Sequence, residues 1–399
     1  MRGSYVWGLS VLLLAGCGGG GGTDAPVAPV SHWPAIRAAA APVVMLTSEF
    51  ATPEIQPIAL DGWEDGIAIS RDGLDLYAVY VPGDLLSFTL AGAPQASASA
   101  YLRGPTLGMD LTTLPTGVTG LPLWLHGNLL HASRASVSAP FGAWQLAAMK
   151  RPVWSEGAPL MQGAESGGFD LFVFTTNQHA PDYLAHICLA RHVARDPAVA
   201  SADIVSDLLP APVTTDTSED NPHIERLDAT HLVLFFDSED RPGTLGARDI
   251  WCCSSADDGT TWTAPVQVAF DDATDQQQPH LWQDAADHWW LYFSATNPAD
   301  SKLGIFRRKQ TTVGDWLNWD AAQLVVGAGN TFGIGEPTLT AAGDLSFVVL
   351  YKDPAGSVTN RYDADPWFAP HLPGGIGKRE TVADGLRLGC VLPAVRAVH

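Results

Sequence analysis

The sequence is short of cations: 22 Lys and Arg stand against 43 Asp and Glu, a formal charge of −21. A chain with no basic face has nothing to hold phosphate, which excludes nucleic acid and anionic headgroups as electrostatic partners. The CxxC and His-x-Cys spacings of zinc sites are missing, as are the GxSxG turn of an activated serine, a phosphate loop and a zinc helix. No cofactor is therefore expected. Cysteine is sparse, at positions 17, 188, 252, 253 and 390. Neighbours on a strand point to opposite faces, so no more than one of Cys252 and Cys253 is expected in a bridge. Long apolar runs are absent apart from residues 6–16, VWGLSVLLLAG, which are too short to span a bilayer.

That run, preceded by Arg2, has the form of a secretory signal. It ends in Leu14-Ala15-Gly16-Cys17, which resembles a bacterial lipobox. The resemblance implies cleavage before Cys17 and a diacylglycerol on its thiol. Residues 1–16 are then a signal peptide and residues 17–42 a lipidated, flexible linker that opens on GGGGG. Residues 43–399 are left as the folded domain. The expected location is the bacterial cell envelope, with the chain held to a membrane by its lipid and facing the periplasm or the exterior.

Within the domain one phrase recurs. EDGIAISRDGLDLYAVY at 64–80 returns as EPTLTAAGDLSFVVLY at 336–351, with NPHIERLDATHLVLFFDS at 221, QPHLWQDAADHWWLYFSA at 278 and a looser APLMQGAESGGFDLFVFTT at 158. Each alternates apolar and polar residues on either side of a short turn, the pattern of a β-hairpin. Five copies at intervals of roughly 55 to 95 residues indicate the blades of a β-propeller. The expected fold is all-β: a single propeller of five or six four-stranded blades. A sixth blade would come from RGPTLGMDL, LPLWLHGNLLHASRA and WQLAAM between 103 and 149. Ring closure is expected between APVVMLTSEF or EIQPIAL and the tail ETVADGLRLGCVLPAV.

FFDSEDRPGTLGARDIW, 235–251, resembles the strand connection of TolB-like, WD-like propeller repeats. Ser255, Asp257, Gly259 and Trp262 in SADDGTTW resemble the Asp box of sialidase-type propellers, a turn motif whose role is structural. Trp289 and Trp290, adjacent on a strand, are expected on opposite faces, and His126 and His131 as packing residues. Asp271, Asp272 and Asp275 lack the spacing of a dedicated calcium loop, so calcium is only a weak expectation there.

Inner strands of a propeller begin at one mouth of the central channel. The residues there are Glu64, Asp65, Glu156, Glu219, Asp220, Asn221, His223, Gln278, His280 and Glu336. Carboxylates gathered at one mouth raise one another's pKa values and suit a cation, an amine or a sugar. The leading expectation is an envelope module that binds a glycan or a protein. A weaker resemblance, of Glu64-Asp65-Gly66, Met109-Asp110 and Ser155-Glu156-Gly157-Ala158-Pro159 to the catalytic phrases of five-bladed arabinanases and xylosidases, implies the alternative: glycoside hydrolysis by Asp65, Asp110 and Glu156. Against it, Gly66 stands where those enzymes have Pro, and Ala158 splits their E-G-P. A sialidase would need an arginine triad, and only isolated arginines such as Arg71, Arg103, Arg134 and Arg241 are present.

Overall fold

The computed structural model describes residues 32–91, 98–109, 127–147, 156–165, 168–177, 184–195, 206–239, 241–245, 247–268, 270 and 274–373. Cys17, Asp110, His126, Asp271, Asp272, Cys390 and the tail from 374 lie outside the described residues, as does the side chain of Glu156.

The chain is a five-bladed β-propeller. It enters through helix α1 (Trp33–Ala39) and the short strands β1 (Val43–Val44) and β2 (Glu54–Ile55). Blade I is β3 (Trp63–Ile69), β4 (Asp75–Val81), β5 (Asn128–Ser133) and β6 (Gln145–Leu146), with α2 (Leu85–Ala91) in its long connection. Blade II is β7 (Glu156–Glu165), β8 (Gly168–Thr176), β9 (His186–Ala194) and β10 (Ser206–Leu208). Blade III is β11 (Glu219–Arg226), β12 (Leu232–Glu239), β13 (Arg248–Ser255) and β14 (Val266–Gln267). Blade IV is β15 (Gln276–Gln283), β16 (Trp289–Asn297), β17 (Lys302–Lys309) and β18 (Gln323–Gly327). Blade V is β19 (Gly333–Leu339), β20 (Leu345–Ser357) and β21 (Asn360–Ala369). Each blade pairs its strands antiparallel in chain order.

Ring closure runs through the N-terminal strands. β2 pairs with β21 and supplies the fourth strand of blade V, while β1 adds a fifth to blade IV through β18. EIQPIAL is thus one of the closing segments, and its partner among the described residues is β21; the tail expected to pair with it lies outside the described residues. The segment read as a sixth blade supplies β5 and β6, the outer half of blade I. Helix α1 lies in the stretch read as linker. Its Trp33 is buried with the core between blades IV and V because Pro34 starts a helix whose apolar side meets β20.

Period-2 patterning puts one core in each of the five seams. Leu171 and Val173 of β8 enter the seam between blades II and III, and Phe172 and Phe174 the one between I and II. On β13, Cys253 faces blade II and Cys252 faces blade IV. Cys188, Cys252 and Cys253 are all buried. Burial pushes the Cys253 thiol up to about 12, so these cysteines act as small apolar groups. Trp290 belongs to the IV–V core and Trp289 packs on the III–IV core, one face each. Every fully buried Phe or Leu in these seams stabilises the ring by about 1.5–3 kcal/mol.

Candidate functional site

All five inner strands break their pairing at the same point. Two residues interrupt the register in each: Gly66-Ile67, Ala158-Pro159, Asn221-Pro222, Gln278-Pro279 and Glu336-Pro337. The first of each pair is left-handed, with φ of 52°, 42°, 49°, 59° and 58° respectively. Proline disfavours a helical residue before it, and the bulge turns that residue toward the axis. The five positions therefore form a ring around a narrow cavity of about 30 Å³, also lined by Leu160 and His280. A sugar ring does not fit inside; one or two waters do. Ala158, which seemed to split a catalytic phrase, is blade II's member of this ring.

Four carboxyl groups share the end where the inner strands begin. Asp65 accepts from Trp63 Nε1 at 2.6 Å. Asp220 accepts from Thr175 Oγ1 at 3.0 Å and from the Asn221 amide at 2.9 Å. Asp237 Oδ2 accepts from Asn221 Nδ2 at 2.8 Å and from the Gln278 amide at 2.7 Å, and its Oδ1 pairs with Arg248. Glu336 accepts from Gln278 Nε2, while its own amide donates to Gln278 Oε1 at 3.1 Å. That reciprocal pair needs Gly335, where a Cβ would stand 2.7 Å from Gln278 Oε1.

Burial drives Asp65, Asp237 and Glu336 toward protonation. Burial pushes Asp65 up to about 7, aided by the charge of Asp220 and opposed by the Trp63 bond. Glu336 is held well above the usual carboxylate range by burial and by the charges of Asp65, Asp220 and Asp237. Burial takes Asp237 to about 6 against the attraction of Arg248. All four are buried, Glu336 and Asp65 the least so at 9% and 7% exposed and Asp220 and Asp237 the most at 2% and 0%.

The far end of the channel is plugged. Arg71, at the tip of the β3–β4 hairpin, pairs with Glu225 of β11 and donates to the Leu281 carbonyl at 2.7 Å. Gln162 Nε2 of blade II donates to the same Glu225 oxygen at 2.9 Å, and His223 Nε2 lies 3.0 Å from it. His280 Nε2 accepts from the Leu339 amide at 3.1 Å. Burial, with Arg71 nearby, holds both His223 and His280 well below the usual imidazole range, and thus neutral. Both histidines belong to this plug, although His280 also touches the cavity.

Of the expected site residues, the structure brings together Asp65, Asp220, Asn221, Gln278 and Glu336. Glu219 is fully buried away from the mouth, bonded to His186 at 2.8 Å and Arg241 at 2.9 Å. Glu64 is buried in the seam between blades V and I. Both precede the last paired residue before the bulge, and Glu156 holds the same register in blade II. Asp237 and Arg248 were missed. The signal was a carboxylate inside the apolar strand LVLFFDS, which has to find a buried partner. In the SADDGTTW turn, Ser255 Oγ accepts from the Gly259 amide at 2.8 Å, Asp257 accepts from the Thr261 amide at 2.8 Å, Gly259 has φ of 81° and Trp262 is buried. That turn lies outside the channel. Among the described residues, no group of three or more His, Cys, Asp or Glu is placed to hold a metal ion.

No family model matches the sequence, and no curated protein matches it significantly. Among solved structures the chain is similar to an α-L-arabinofuranosidase from Podospora anserina, with 11% identity over 79% of this chain and 91% of that one and a TM-score of 0.47. It is similar to an endo-arabinase from Bacteroides thetaiotaomicron, at 11% identity, 81% and 99% coverage and a TM-score of 0.46. A third, described as a glycoside hydrolase, gives 11% identity, 90% and 99% coverage and a TM-score of 0.48. The resemblance to TolB-like repeats finds no support among these. The blade count rests on strand pairing alone.

Proposed function

We propose that the chain engages a glycan on top of the carboxylate ring and hydrolyses it, with Glu336 as proton donor and Asp65 as base. The observation that supports this is the coupled pair itself. Asp65 and Glu336 are the least buried of the four carboxyls, and the charge of Asp65 raises the affinity of Glu336 for a proton, so Glu336 keeps its proton while Asp65 is charged. Acid–base hydrolysis needs that state. The acid protonates the glycosidic oxygen as its bond to the anomeric carbon breaks, and the base takes a proton from the water that attacks that carbon. Asp237, locked by Arg248, Asn221 and Gln278, orients the ring and does not react. A second reading, binding without turnover, is favoured by the narrowness of the cavity and by the internal bonding of Glu336.

The experiment is a screen of aryl arabinosides, xylosides and sialosides with wild type, Asp65→Asn, Glu336→Gln and Glu156→Gln, alongside glycan calorimetry. Loss of either acting carboxyl lowers turnover by roughly 10² to 10⁴-fold. Turnover should rise with pH as Asp65 ionises near 7 and fall again once Glu336 loses its proton. Binding without turnover establishes the second reading. Turnover abolished by Glu156→Gln and untouched by Glu336→Gln overturns the assignment of the acid.

A further inference from the structure

Away from the channel mouth, the seam between blades V and I is filled with charge. β21 meets β3 through one parallel bridge, Ala364 to Trp63. Into this gap point Glu64 of β3 and Asp363 and Asp365 of β21, all 0% exposed. Two guanidiniums answer three carboxyls. Arg37 of α1 donates from Nε to Asp365 Oδ2 at 2.7 Å, from Nη2 to Asp363 Oδ2 at 2.8 Å and to the Leu60 carbonyl, and from Nη1 to Asp61 at 3.0 Å. Arg103 pairs with Asp363 and donates to the Tyr362 carbonyl at 2.7 Å. Tyr80 of β4 and Tyr351 of β20 are the other titratable groups that face the cluster.

Glu64 Oε1 accepts from the Leu60 amide at 2.6 Å. Glu64 Oε2 is buried and receives no such donor among the described residues, while Asp365 also has the Tyr351 hydroxyl in hydrogen-bonding contact. The two carboxyls are nevertheless in hydrogen-bonding contact. Two buried carboxylates in contact repel, and a buried oxygen left without a protein donor costs its desolvation. One proton between them removes both penalties and balances the three buried carboxyls against the two guanidiniums, the exposed Asp61 standing outside that count. We propose that Glu64 and Asp365 share a proton, and that this makes the closing seam between β3 and β21, to which Arg37 ties helix α1 through Asp363 and Asp365, a pH-dependent joint of the ring.

The sign follows from linkage. Burial raises Glu64 well above its ordinary value and takes Asp365 to about 6, so the folded seam holds a proton that the unfolded chain has released. This contribution is complete below about pH 4, the unfolded carboxyl range, and is lost as pH rises through the folded values. Over that window the unfolding constant rises by up to about tenfold per pH unit.

The test uses the full chain. Urea unfolding is followed from pH 5.5 to 9 for wild type, Glu64→Gln and Asp365→Asn, with amide exchange of residues 63–69 and 360–369 and the infrared band of protonated carboxyls read on the same samples. Expected are a steep pH slope in wild type that flattens in both variants, β3 and β21 amides that open with rising pH in wild type, and a protonated-carboxyl signal at neutral pH that weakens in Glu64→Gln. If Glu64→Gln does not fold, Asp365→Asn and the wild-type exchange profile carry the test. Equal slopes in all three proteins, or seam exchange that follows only the intrinsic rate, would overturn the shared proton.

Discussion

Ala158 shows how much of the site is decided by single residues. Its φ of 42° is one that an L-residue with a Cβ adopts at a cost of about 1–3 kcal/mol, and its ring partners Gln278 and Glu336 accept the same strain. Asn221 tolerates the conformation better, and Gly66 without penalty. Strain at three of five equivalent positions is consistent with side chains kept for what they present to the channel. Ala158 presents only a methyl. Ala158→Gly should therefore leave stability unchanged or raise it by up to about 1 kcal/mol, the relief of strain offsetting the added freedom of the unfolded chain, whereas Ala158→Val should cost about 1–2 kcal/mol. Urea midpoints decide between these, and a valine variant as stable as wild type would show that the bulge is not held left-handed. At this scale the sequence was partly readable. The Pro of four phrases and the acidic residues around them stood in plain view, but the register of a bulge depends on the partner strand, and so Ala158 looked like an insertion.

At the scale of elements, the hairpins were legible because their apolar alternation is local, and they account for the inner two strands of every blade. The outer strands were not. β6, β10 and β14 are two or three residues long and owe their pairing to the neighbour they meet, which no local pattern announces. For the same reason β5 was taken for part of a sixth blade. The β3–β4 hairpin carries a further lesson: Arg71 read as an isolated cation, yet its tip reaches across the axis to blades III and IV. Removing it leaves Glu225, 7% exposed and already driven toward protonation by burial, without its counter-charge. Arg71→Met should lower stability by about 3 kcal/mol, and the double variant with Glu225→Gln should recover much of the loss, because a buried charge without a partner costs more than no charge. Thermal melts of the single and double variants measure the coupling. Additive losses would mean that the two side chains do not act as a pair.

For the whole molecule, the N-terminal segment has one task that its contacts show and one that we propose. The first is mechanical. Residues 32–55 supply Trp33 to the IV–V core, Arg37 to the V–I seam, β1 to blade IV and β2 to blade V, so the ring closes with strands from the front of the chain. A propeller missing the outer strand of one blade exposes the edge of β21 and uncovers two seams at once. The second is one that we propose, a lipid anchor at Cys17, outside the segment whose contacts close the ring. The two should therefore separate in one experiment. Cys17→Ser should move the protein from the membrane fraction to the soluble fraction on detergent partitioning with its melting midpoint unchanged. Deletion of residues 32–55 with Cys17 retained should keep the lipid while abolishing the cooperative transition and the near-ultraviolet dichroism of the buried tryptophans. A wild-type protein already soluble before the cysteine is changed would remove the anchor. A deletion variant that melts as sharply as wild type would mean that the blades close without the N-terminal strands.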